Sequence, residues 1–206
     1  MVDVESILRQ AIIAGIGEFK SDRELFDFTF SDYALAHLSL DDLWEMFNSS
    51  NIENNVRFEF GEDTPNQEMI VLQLNEHRTA QDFLNHSMYD TLSNDKTRQV
   101  VGRIAELITD IVIMTQNTDL TRFIYYLVNA ILIRKNVYFE SKGIESINLK
   151  MGTDIQRYLP AMPHNTYMRI LQVEAIIEEK TFLETTKPYD DVEIHHYKNN
   201  GKVYPL

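Results

Sequence analysis

One stretch in the middle of the sequence constrains its fold more than any other. Asn117-Thr118-Asp119 carries residue types that cap a helix, and Leu120, Phe123, Ile124, Leu127, Val128, Ile131 and Leu132 then recur every three or four residues. The spacing predicts a long helix with one apolar face, which has to be buried against another element. Its neighbours in sequence supply that element. The segment VVGRIAELITDIVIMT fits helical spacing at Val100, Val101, Ile104, Leu107, Ile108, Ile111 and Val112, yet its second half is rich in β-branched residues, which favours a strand over 104–115. After a turn at Gly143, IESINLKM predicts a strand over 144–151, and residues 167–182 predict another, with Met168, Ile170, Gln172 and Glu174 opposing Tyr167, Arg169, Leu171 and Val173. The expected class is therefore α+β.

Towards the amino terminus, Val4, Ile7, Leu8, Ala11, Ile12, Ile16 and Phe19 predict a helix over 3–19, with fraying or a stop expected near Gly15 and Gly17. Ser39-Leu40-Asp41-Asp42 resembles a capping box and opens a short helix over 40–48. Between them Phe26, Phe28 and Phe30 alternate with Asp27, Thr29 and Ser31, the period of a strand or an extended arm. Val56–Phe60 and Met69–Leu74 flank a Gly- and Pro-containing loop and read as a hairpin over 56–75. Residues 76–99 are polar and read as a surface loop, with a short helix at 79–86. Pro160 and Pro163 bracket a turn, and no repeat of 20 to 50 residues is present.

Length and charge narrow the function. A chain of 206 residues is enough for one substantial domain. Asp and Glu outnumber Lys and Arg by 32 to 19, and the formal charge of −13 argues against tight binding of nucleic acid. With no Cys, disulfides, zinc ribbons and thiol nucleophiles are excluded. Asp3 and Glu5 have the wrong charge for a signal peptide, and the apolar run at 123–133 is too short to span a bilayer, so an intracellular setting without membrane contact is expected. The N-x-S sequons at Asn48 and Asn85 are then chance matches.

No catalytic constellation emerges. Gly15-Ile16-Gly17 has Lys20 at the third glycine position of a dinucleotide-binding loop and no strand before it; G-K-[ST] and G-x-S-x-G motifs are absent. The histidines, at 37, 77, 86, 164, 195 and 196, lack metal-ligand spacing, and adjacent His195 and His196 point to opposite sides of an extended chain. The acidic clusters Asp41-Asp42, Glu178-Glu179 and Asp190-Asp191-Val192-Glu193 do not follow a calcium-loop pattern and read as charged surface. No catalytic, cofactor-binding or metal-binding residue is assigned. The candidate partner-contact residues are aromatic: Phe26, Phe28, Phe30 and Tyr33 in the acidic extended segment, and Tyr189, Tyr197 and Tyr204 in a charged carboxy-terminal arm.

Taken in order, the hairpin FEFG-EDTPNQ-EMIVLQLNE, the strand ELITDIVIMTQNT, the helix DLTRFIYYLVNAILI and the strands GIESINLKMGTDI and YMRILQVEAIIEE resemble the tail-terminator or neck proteins of tailed bacteriophages. The resemblance covers residues 56–184 and implies a mixed β-sheet packed by helices, in a homo-hexameric ring at the head-proximal end of the tail tube, with no active site. It divides the chain into an N-terminal helical extension (1–50), an α+β core (51–184) and a C-terminal arm (185–206). The extension and arm depart from small members of the family. The implied partners are the tail tube protein and head connector or adaptor proteins, in a virion assembled in the host cytoplasm. Six copies would carry six times −13, or −78, so a lumen lined with part of that charge lets DNA pass without holding it. The alternatives are another connector or baseplate component, a metal-dependent enzyme built on Asp190, Asp191 and Glu193, or an acidic protein that mimics DNA.

Overall fold

The structure, a computed structural model, describes residues 3–33, 38–58, 68–82, 88–89, 98–151, 166–184, 196–197 and 203–204. The chain forms two compact units, one of residues 1–82 and 103–179 and one of residues 83–102 and 180–206.

The first unit is α+β, as the sequence predicts. Helix α1 (Val4–Ser21) starts at Asp3, whose side chain accepts from the Ser6 backbone N–H at 3.0 Å. The two glycines do not end it. Gly15 lies on the buried face against α4 (Thr118–Arg134), where an added Cβ would sit 2.7 Å from Cγ1 of Ile131. Here glycine serves close helix approach rather than termination.

The phenylalanine-rich segment is helix α2 (Arg23–Phe30), not a strand or arm. Positions 26 and 30 share a face in either structure, so period two and a helical turn cannot be told apart there; Phe28 distinguishes them, being 84% exposed while Phe26 and Phe30 are buried. Local chemistry favours the helix: Asp22 caps Leu25 N–H at 2.9 Å, and Arg23 pairs with Asp27 one turn on at 2.8 Å. Helix α3 (Leu40–Ser49) has the expected capping box, with Ser39 and Asp42 bonding each other's backbone N–H.

A 3₁₀ turn (Ile52–Asn55) leads into β1 (Val56–Arg57). The expected hairpin does not form, because β1 runs parallel to β2 (Met69–Asp82), pairing Val56 with Ile70 and Arg57 with Val71. Alternation predicts strands without fixing their direction. β1 is also tied to α1, the Val56 carbonyl accepting from Arg9 Nε at 2.8 Å. β2 also continues to Asp82 where a loop and a helix at 79–86 were expected, paired antiparallel with β4 (Arg98–Thr115). Residues 75–78 are exposed and polar, so no apolar pattern marks them; their strand is held by backbone pairing to β4.

The junction between β4 and α4 is held by side-chain hydrogen bonds. Thr115 Oγ1 accepts from Asn117 N–H at 2.9 Å and meets Thr121 Oγ1 at 2.9 Å, and Asn117 Oδ1 accepts from Asp119 N–H at 2.8 Å. A short helix α5 (Asn136–Ser141) and Gly143, at φ 85°, lead into β5 (Ile144–Met151), which pairs antiparallel with β6 (Tyr167–Glu184). The strand order is β1-β2-β4-β6-β5.

One face of this mixed sheet packs against the helices through Ile70, Leu72, Ile111, Ile113, Leu171 and Val173. The residues between them, Met69, Val71, Val112, Met114 and Met168, form a second buried cluster on the opposite face. The stretch expected as an N-terminal extension belongs to the first of these cores. Phe26 meets Trp44 at 4.9 Å, Phe47 at 6.1 Å and Phe123 of α4 at 5.6 Å between ring centres.

In the second unit, β3 (Met88–Tyr89) pairs with residues 99 and 100 of β4, inside the expected loop. The carboxy-terminal region, expected as an arm, forms a strand pair of β7 (His196–Tyr197) and β8 (Val203–Tyr204). The turn at Pro160 and Pro163 lies outside the described residues.

Candidate assembly surfaces

The aromatic residues expected to meet a partner are divided by the fold. Phe26 and Phe30 are core residues, Tyr33 is half-buried against Phe30, Phe123 and Tyr126, and Phe28 alone of the four projects into solvent. Tyr197 and Tyr204 stand in β7 and β8, opposite Val203 and His196. Tyr189 and the acidic trio Asp190, Asp191 and Glu193 lie outside the described residues. Of the other acidic pairs, Asp42 serves the capping box and Asp41 binds Arg23 at 2.6 Å. Among the described residues no three His, Asp or Glu side chains are placed to share a metal ion.

Two features that the sequence reading missed are backbone edges. On the side where β1 pairs with Ile70 and Val71, β2 has no strand partner beyond Val71 among the described residues. β5, at the other end of the sheet, pairs only with β6 among them. The two edges differ in chemistry. β5 presents Glu145, Asn148 and Lys150 to solvent, with Lys150 bonded to Glu174. The β2 edge borders a surface cleft of about 450 Å³ lined by Glu5, Phe58, Gln73, Leu74, Asn75 and Asp110.

The cleft is built from a break in strand pairing. The register of β2 against β4 shifts between Leu74 and Glu76, leaving Asn75 as the extra residue of a bulge. Asn75 Nδ2 donates to Asp110 at 2.9 Å, and Gln172 Nε2 of β6 donates to the other Asp110 oxygen at 3.0 Å. Glu5, from the first turn of α1, accepts the outward Leu74 N–H at 2.9 Å. Phe58 and Leu74 are partly exposed, and the Arg9 guanidinium lies 5.6 Å from the Phe58 ring centre. Carboxylates beside apolar surface and an open strand edge are what an extended segment with a basic or amide side chain can use. No signal in the sequence pointed to these residues, because Glu5 and Asp110 are 105 positions apart and converge only through the sheet.

No helix among the described residues is long and apolar enough to cross a membrane. The chain matches no protein-family model and no curated protein sequence.

Proposed function

We propose that this chain is a structural protein of the bacteriophage neck, six copies of which form a ring that terminates the tail tube and joins it to the head connector. The observation that supports it best is the pair of unlike open edges on one sheet. A ring closes through heterologous contacts, each subunit offering two different surfaces, and β-strand addition joins such surfaces by backbone hydrogen bonds. Here the β5 edge of one copy would pair with the β2 edge of the next. The order of strands and helices on which the resemblance rests is also retained, although β1 and β2 run parallel. The charge of −13 suits a channel that DNA traverses without adhering. The place of action is the virion, after assembly in the host cytoplasm.

The test is the mass of the purified protein by light scattering, followed by negative-stain imaging alone and with tail tubes. Rings that cap tube ends are expected. A protein that stays strictly monomeric even with tubes present overturns the proposal.

A further inference from the structure

Independently of any ring, the helical side of the sheet holds a group of hydrogen-bond donors that lack acceptors. On β6, Arg169 continues the side of Leu171 and Val173, which face the helices, whereas Met168 and Ile170 belong to the opposite cluster. Its guanidinium carbon lies 3.9 Å from the ring centre of Tyr125 and 5.3 Å from that of Tyr126, both on α4. The Tyr33 ring stands edge-on to Tyr126 at 5.1 Å. Stacking satisfies the face of a guanidinium and leaves the N–H groups on its edge unanswered.

Three of these donors are orphaned. Arg169 Nε and the hydroxyls of Tyr33 and Tyr125 are buried with no hydrogen-bond partner among the described residues, and no described carboxylate forms an ion pair with Arg169. Tyr125 is 0% exposed. Burial pushes the Tyr33 phenol up to about 12, so it keeps its proton and remains a donor at neutral pH. Buried donor atoms left unpaired beside a half-buried cation are costly. Water can satisfy such donors singly, whereas a small oxyanion accepts several hydrogen bonds at once and carries the charge opposite to the guanidinium.

We propose that Arg169, Tyr125 and Tyr33 form a binding site for one small free oxyanion of the phosphate type. The burial of the three donor atoms and the charge of −13 favour a free ion over the backbone of a nucleic acid.

The probe is inorganic phosphate, added to the full chain and compared with NaCl at equal ionic strength, with thermal unfolding and ³¹P line width as readouts. Phosphate is expected to raise Tm by about 2–5 °C near saturation. Arg169→Gln should abolish both the rise and the line broadening. Tyr33→Phe keeps the ring contacts, removes one donor and should weaken binding about 2- to 10-fold; it carries the test alone if Arg169→Gln does not fold. A rise matched by NaCl, or one unchanged in the variants that fold, overturns the proposal. Arg169-dependent binding of short duplex DNA without any response to phosphate also overturns it.

Discussion

Gly15 of α1 and Ile131 of α4 approach so closely that the space for a Cβ on Gly15 is already occupied by the isoleucine side chain. Alanine favours a helix interior by about 1 kcal/mol over glycine, but overpacking a core costs about 1–3 kcal/mol, so the steric term wins. Gly15→Ala is expected to destabilise the fold by about 1–2 kcal/mol. At Gly17 nothing lies within 4 Å of the added carbon. Gly17→Ala should therefore stabilise by about 0.5–1 kcal/mol, and urea denaturation of the two variants should move in opposite directions.

Phe26 and Phe28 stand two residues apart on one helix with opposite surroundings. Phe26→Ala removes a ring that touches Phe30, Trp44, Phe47 and Phe123, and should cost about 3–5 kcal/mol. Phe28→Ala should stay within about 0.5 kcal/mol by the same measurement. Equal losses would mean that the segment is not helical.

Acid should loosen two helix starts together. Hydrogen bonds from the Ser6 side chain and backbone hold the Asp3 carboxyl below its ordinary 3.8, and those from Ser39 do the same for Asp42. A lowered folded-state pKa gives stability that is present above 3.8 and lost as pH falls through the lower folded value. Urea midpoints should decline with acidification in that range, and the Asp3→Asn, Asp42→Asn double variant should show a shallower decline.

Alkali acts on Tyr33 with the opposite sign. Its pKa is raised to about 12 from 10, chiefly by burial, so the neutral phenol's contribution is complete below pH 10 and lost as pH climbs through about 12. Ultraviolet titration near 295 nm should lose a late phenolate when Tyr33→Phe is compared with the parent protein.

Leu74 tests the β2 edge. It is partly exposed in the cleft beside Glu5 and Asp110, so Leu74→Asp removes apolar surface and adds a like charge. The self-association proposed at this edge should weaken about tenfold or more, with the circular dichroism of the monomer unchanged. Undiminished association would place the contact elsewhere.

How far the sequence could be read depended on whether one periodicity stood alone. α4 was legible because its cap and seven apolar positions agree on a single answer. α2 was not, since Phe26 and Phe30 satisfy a strand and a helix equally. The direction of β1 was hidden because alternation is blind to direction, and its contact on α1, Arg9, lies 47 residues away. Residues 76–82 looked like a loop because their strand is held by main-chain bonds, which leave no mark on side-chain pattern. The cleft was invisible for a similar reason, as its members come from α1, β2, β4 and Phe58 just after β1, and the Arg169 cluster draws on segments scattered from Tyr33 to β6.

The double-faced burial of the sheet has a calorimetric consequence. Met69, Val71, Val112 and Met114 are already withdrawn from water on one side, and Ile70, Leu72, Ile111 and Ile113 on the other. If copies join at β2 and β5 as proposed, they exchange hydrated amide edges for hydrogen bonds between strands, and the apolar surface they withdraw at the β2 edge is that of Leu74 and Phe58 rather than of the sheet faces. Such an association would carry a small heat-capacity change and weaken less on cooling than contacts made by broad hydrophobic burial.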